Sequence, residues 1–140
     1  MRESGFRILD HPADLGIEAY GKTVAEAFEQ AALGLVFIIV ETSRVEAREC
    51  RKVTLQGSDR EQLLVRWLQE ILYLYDGEHF IGGNFQIGQL EPGCLEAVVY
   101  GEPFDSKRHH TRLDVKAVTY HQLKVVEKTG KSSVRVFLDI

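Results

Sequence analysis

Three stretches of the chain carry residues suited to chemistry. The first is "LDHPADLGI", where Asp10, His11 and Asp14 crowd into one turn between two strand-like runs. Asp side chains bond neighbouring backbone N–H groups and Pro12 favours the bend, so turn chemistry is the first reading of these residues. An oxygen-rich cation site is the second, because Mg2+, Ca2+ and Mn2+ take carboxylates, carbonyls and water. The next stretch is "DVKAVTY". Read as a strand, it puts Lys116 on one face with Asp114, Val118 and Tyr120, where a half-buried lysine must snorkel or meet an anion. The third is "SVRVFLDI". Alternation sends Val134, Val136, Leu138 and Ile140 to the core, and Arg135, Phe137 and Asp139 to the other face. A core-facing Ile140 would fix its own carboxylate beside Asp139, and two anionic groups that close repel unless a cation or a lysine lies between them. The alternative is a strand that finishes at the surface with both acids in water.

Other constellations are absent. There is no glycine-rich phosphate loop, no CxxC pair, no HExxH and no GxSxG, and Gly82-Gly83 reads as a turn. His109 and His110 are adjacent, so on a strand they would diverge and in a loop they would be solvated. They sit in "SKRHHTR", where Lys107, Arg108 and Arg112 form a basic cluster. A solvated loop is the preferred reading there, with direct RNA contact as the alternative. The net charge of −4 argues against bulk electrostatic binding of nucleic acid.

Two helices must position these groups. "TVAEAFEQAALGLVFIIVE" opens with a capping box of Thr23 and Glu26, and Val24, Ala27, Phe28, Ala31, Leu35 and Ile38 form one apolar stripe. Gly34 weakens its centre and invites a close approach. "SDREQLLVRWLQEILYLYDG" reads the same way, with Ser58 and Glu61 as the box and Leu64, Trp67, Leu68, Ile71, Leu72 and Tyr75 as the stripe. Asp76-Gly77 ends it. The rest reads as strands: "FRIL", "GIEAY", "RKVTLQG", "NFQIGQL", "CLEAVVYG", "RLDVKAVTY", "QLKVVEK" and "SVRVFLDI", with turns at Pro92-Gly93 and Thr129-Gly130. Consecutive strands without intervening helices join as antiparallel hairpins. The expectation is a two-layer α+β fold, one mostly antiparallel or mixed sheet packed by two amphipathic helices.

At 140 residues, with 44% hydrophobic and 27% charged residues, the chain predicts a single domain over 1–140 that needs no disulfide or zinc to fold. Cys50 and Cys94 have no metal-type spacing and, with no signal peptide, read as reduced thiols of a cytoplasmic protein. The longest apolar run, "LGLVFIIV", falls short of the ~18 residues needed to cross a bilayer.

Over essentially its whole length the sequence resembles the archease family. The resemblance rests on "LDHPADLGIEAYG", "AFEQAALGL", "LLVRWLQEILYLYD", "GEPFD", "VKAVTYHQLKV" and "VFLDI", in that order. The opening turn, "VKAVTYH" and the Asp-Ile ending are distinctive together, whereas the helix segments are mostly amphipathic pattern. Pro12 departs from the family pattern, which usually has Thr there, and removes a hydroxyl and an N–H from the turn. The resemblance implies a non-enzymatic activator of the GTP-dependent RNA-splicing ligase of the RtcB type, acting in tRNA splicing and RNA repair. It promotes guanylylation and multiple turnover of that ligase, with RNA reached through the ligase and no membrane partner. It also implies a divalent metal ion, calcium first with Mn2+ or Mg2+ as alternatives, held by Asp14, Asp139 and the carboxylate of Ile140. Lys116 is carried over as the lysine that serves activation, together with Asp14 and Asp139. Two competing readings are a small metal-dependent phosphohydrolase using Asp10, Asp14 and Asp139, and a direct RNA-binding module.

Overall fold

The computed structural model describes residues 3–10, 14–42 and 45–140. Along these residues the order is β1 (Gly5–Asp10), β2 (Asp14–Gly21), α1 (Val24–Ile39), β3 (Glu49–Gln56), α2 (Arg60–Asp76), β4 (Phe80–Glu91), β5 (Cys94–Pro103), β6 (Ala117–Val126) and β7 (Ser132–Asp139). The α+β class and the two helices are as expected. The strands divide into two antiparallel sheets, four-stranded β1-β2-β7-β6 and three-stranded β3-β5-β4.

Both helices pack on both sheets, which explains why α1 buries more than one stripe. All six stripe residues of α1 are buried, and so are Ala32, Gly34, Val36 and Ile39 on neighbouring positions. Gly34 marks the tightest crossing. A Cβ there would lie 2.9 Å from Ile17 Cγ2 and 3.1 Å from Phe6 Cδ2, so β1 and β2 cross the helix at van der Waals distance. The indole N–H of the buried Trp67 on α2 donates to the carbonyl of Phe28 on α1 at 2.9 Å, giving the one polar atom of that ring a partner inside the core.

The helix starts show a shared device. Thr23 caps α1 by accepting from the Glu26 N–H at 3.1 Å, while Glu26 accepts from the N–H of Lys22, the residue before the cap. In α2 the cap is Asp59 and not Ser58: Asp59 accepts from the Gln62 N–H at 2.8 Å, and Gln62 accepts from the Ser58 N–H at 2.7 Å. The expected box was one residue early because both Ser58 and Asp59 are good caps, and Gln62 serves the reciprocal role as well as Glu61 does. Gly77 ends α2 in an ordinary right-handed conformation at φ −94°. Gly93 (φ 88°) and Gly130 (φ 77°) take the left-handed turns that close the β4–β5 and β6–β7 hairpins.

The expected strand through "RLDVKAVTY" is half right. Residues 112–116 are irregular, and β6 begins only at Ala117. Val115 and Val118 are both buried and Lys116 is exposed, a spacing that alternation cannot produce. Further along, β6 carries a wide bulge: Thr119 opposes Phe137 and Lys124 opposes Arg135, so extra residues of β6 loop out around Tyr120, His121 and Gln122. Gln122 supports that bend with φ 51°.

Candidate functional site

Sheet β1-β2-β7-β6 has α1 against one face, where Ile17, Ala19, Val134, Val136 and Leu138 are buried. The opposite face carries Asp14 and Asp139, two of the candidate site residues. Register places Asp14, the first residue of β2, directly opposite Asp139, the last of β7. Directly opposed residues of an antiparallel pair point to the same side with Cβ atoms about 4.5–5.5 Å apart. Asp139 is also opposite Ala117, and its carbonyl accepts the Lys116 N–H at 2.8 Å. Three residues far apart in sequence therefore meet at one end of one sheet.

The floor of this site is Phe137, which shares the outer face two positions before Asp139 and is only 4% exposed. Gly16 opposes it, and a Cβ at that position would fall 2.8 Å from Phe137 Cε1. Glycine there lets the ring lie flat across β2. The His121 ring, presented by the β6 bulge, covers Phe137 from the other side with centroids 5.8 Å apart. Thr119 Oγ1 donates to the Phe137 carbonyl at 2.9 Å and accepts from the His121 N–H at 3.2 Å, which ties the bulge to β7. The two carboxylates thus stand beside a packed aromatic base.

Two expectations change here. Ile140 is 41% exposed and does not anchor the strand in the core. That work is done two residues earlier, by Leu138 from one face and Phe137 from the other, and the alternation into the core stops at Leu138. Lys116 is not a buried strand lysine; it is fixed through its backbone, and its ammonium makes no ion pair among the described residues. Asp10 opposes Leu15, so it points to the other face from Asp14 and Asp139, and the three acids do not converge. His11 and Pro12 lie outside the described residues. Among the described residues, no three His, Cys, Asp or Glu side chains gather at one point. The donor set on the outer face is two hard carboxylates, which suits an oxygen-preferring cation such as Ca2+ or Mg2+ with main-chain oxygens or water completing its shell.

A second charged cluster was not visible in the sequence. Glu102, at the end of β5, is 1% exposed, and so is His109. The Glu102 carboxylate accepts from the Glu46 N–H at 2.8 Å, from Arg108 Nη1 at 2.7 Å and from His109 Nε2 at 3.0 Å. The Asp105 N–H donates to His109 Nδ1 at 2.9 Å, so the ring proton must sit on Nε2, facing Glu102. Burial by itself would raise the Glu102 pKa, but the Glu46 N–H, the His109 ring and the Arg108 guanidinium outweigh it and bring it from 4.5 down to about 2. The loop expected to be solvated is therefore pinned. Its backbone is stitched to the end of α1 as well, through Glu41 N–H to His110 O and Arg112 N–H to Ile39 O, both 2.8 Å.

Residues 6–140 match the family described as Archease protein family (MTH1598/TM1083). The chain belongs to the archease family. It is similar to a protein archease of Sulfurisphaera tokodaii, 39% identical over 136 residues that cover 96% of this chain and 98% of the relative. A protein archease of Saccharolobus islandicus is 44% identical over 134 residues, covering 95% and 96%. Among solved structures, the solution structure of Methanobacterium thermoautotrophicum protein 1598 matches with a TM-score of 0.81 at 37% identity, covering 97% of this chain and 99% of that one. The crystal structure of a Thermotoga maritima archease, described as a possible chaperone, shares the fold with a TM-score of 0.65 at 18% identity, covering 100% and 98%. These archeases carry the name of a family or of a possible chaperone and not that of an enzyme. Among the described residues of this archease, no helix is long and apolar enough to cross a membrane.

Proposed function

We propose that this archease is a protein cofactor of a GTP-dependent RNA-splicing ligase of the RtcB type, promoting guanylylation of the ligase and its repeated turnover in tRNA splicing. The observation that carries the reading is the facing pair Asp14 and Asp139, with Lys116 hydrogen-bonded to the Asp139 backbone. Like charges directly opposite each other destabilise a strand pair, so such a pair is retained for something other than the sheet. A divalent cation bound there supplies neutralisation of the two carboxylates. Asp14 and Asp139 would hold it, with the main-chain carboxylate of Ile140 as the further oxygen group that the family pattern implies. Lys116, exposed beside them and fixed by its backbone, offers a positive charge to a phosphate or a carboxylate of the ligase. On this face the Thr119 hydroxyl is taken up by the Phe137 carbonyl and the His121 N–H, and the His121 ring packs on Phe137, an arrangement that suits an activator and leaves the bond-making to the partner.

The test is guanylylation of such a ligase with labelled GTP, with and without this archease. Acceleration by the wild-type protein, lost in Asp139→Asn and Lys116→Ala variants that retain their circular dichroism spectra, supports the reading. Equal rates with and without the protein at every GTP concentration overturn it.

A further inference from the structure

The end of the same open face remote from Asp14 and Asp139 has the opposite charge. Register lines up Arg7 on β1, Glu18 on β2, Arg135 on β7 and Lys124 on β6 in one transverse row, all on the side away from α1. Glu18 is already paired with Arg7 at 2.6 Å. The next row holds Gly5, Tyr20, Ser133 and Val126. A Cβ at position 5 would lie 2.9 Å from the Tyr20 hydroxyl oxygen, so Gly5 lets the Tyr20 ring lie flat over β1. Beyond that row stand Lys22, paired with Glu3 at 2.8 Å, and Lys131. Among the described residues, Lys124 and Lys131 have no carboxylate within 4.0 Å. A cleft of about 770 Å³ opens here, lined by Glu3, Glu18, Tyr20, Lys22, Lys131 and Ser133.

We propose that this half of the open sheet face binds a short single-stranded RNA segment, its phosphates on Lys124, Arg135 and Lys131 and one base stacked on Tyr20. Charge complementarity selects the occupant. Among the described residues here, the two acids Glu18 and Glu3 pair with Arg7 and Lys22, which leaves Lys124, Lys131 and Arg135 in excess on a chain whose net charge is −4. A flat aromatic ring set among cations on an antiparallel sheet suits a base with its flanking phosphates, since every base offers a π-face and the backbone offers the charge. The cleft lies within the range of about 300–1,000 Å³ typical of small-ligand sites, enough for one nucleotide at a time. The basic loop at 107–112, the more obvious RNA candidate in the sequence, has Arg108 committed to Glu102 at 2.7 Å and His109 buried.

Fluorescence anisotropy with a labelled twelve-nucleotide oligouridine and the full chain tests this, in low salt and without any ligase, so the result stands apart from the guanylylation assay. Saturable binding is expected. With about three phosphates neutralised, raising salt from about 50 to 200 mM weakens it by roughly 10–20-fold. Lys124→Glu with Lys131→Glu weakens it at least ~10-fold and flattens the salt slope. Tyr20→Leu, which keeps an apolar side chain over Gly5, weakens it about 5–10-fold with the slope unchanged. Lys107→Glu leaves binding intact. Three outcomes overturn the proposal: no binding at about 50 mM salt, equal competition by an oligoglutamate peptide, or loss through Lys107→Glu while the sheet variants bind normally. Uridine monophosphate that competes as well as the oligomer, per mole, also overturns it, since the cation row would then be idle.

Discussion

Glu102 and the Asp14–Asp139 pair are acids placed under opposite conditions by the same fold. Glu102 is inside, and the chain brings it a backbone N–H, a guanidinium and a ring N–H from segments that surround it. Asp139 is exposed at a strand end, and what register brings to its side is another carboxylate. A buried charge without donors would be far too costly, so full satisfaction at Glu102 is a condition of folding. Asp139 reaches solvent, where water weakens its repulsion with the half-buried Asp14. The difference gives the two sites different tests: Glu102 is satisfied by donors from its own chain, whereas Asp139 is exposed opposite a second carboxylate, where an outside cation can be added and its effect measured.

The contrast is broken most directly at Glu102. Replacing it with Ala strands the Arg108 guanidinium, the His109 Nε2–H and the Glu46 N–H, and should cost about 3–5 kcal/mol. For a domain of this size that is a fall of roughly 10–15 °C in Tm by calorimetry. A loss below ~1 kcal/mol would mean that water replaces the carboxylate and that the cluster is decoration. The pH dependence has a defined sign. The Glu102 pKa is depressed in the folded state from 4.5 to about 2, so its contribution is fully present above pH 4.5 and disappears as pH falls from there towards 2. Urea melts of wild type and Glu102→Gln should therefore differ most near neutral pH and converge across that acidic window. A gap that stays constant from pH 6 to 3 would assign the effect to packing and not to charge.

Asp59 lies between the two extremes, exposed and yet accepting the Gln62 N–H at the start of α2. Asp59→Ala should cost about 1 kcal/mol in chemical denaturation, the usual worth of a cap. Ser58→Ala should cost markedly less, because only the Ser58 backbone N–H takes part in the box. The reverse ranking would restore Ser58 as the cap.

What was legible in the sequence follows from how local each signal is. Helix stripes and hairpin turns are short-range, and the buried residues of α1 and α2 include nearly every position that periodicity selects. The split into two sheets depends on which strands pair across the helices, and no local pattern encodes that. Asp14, Asp139 and Lys116 stood out as residues, but their meeting is a matter of register between strands more than a hundred positions apart. Lys116 misled because the alternation of "VKAVTY" continues past the point where pairing with β7 begins, at Ala117. Ile140 misled in the same way at the other strand, where alternation outruns the core by one step. Glu102 and His109 gave no signal, since a polar residue in a loop-flanking "GEPFD" or "SKRHH" reads as solvated until the segment that buries it is known.

The smallest stability effect belongs to Asp139, and it sharpens the comparison most. Asp139→Asn removes one of two opposed like charges while keeping size and hydrogen-bonding capacity. In metal-free, low-salt buffer it should leave stability unchanged or raise it by up to ~1 kcal/mol. Added Ca2+ should raise the Tm of the wild type, because an ion that binds only the folded state stabilises it by mass action, and should do little for the variant. A metal-free loss above ~2 kcal/mol would place Asp139 in the same class as Glu102, an acid that the chain itself requires. A calcium-dependent rise of equal size in both proteins would move the ion away from the facing carboxylates. Only stability that is indifferent to the charge, together with a response to calcium that depends on it, fits a pair kept for what it meets at the surface.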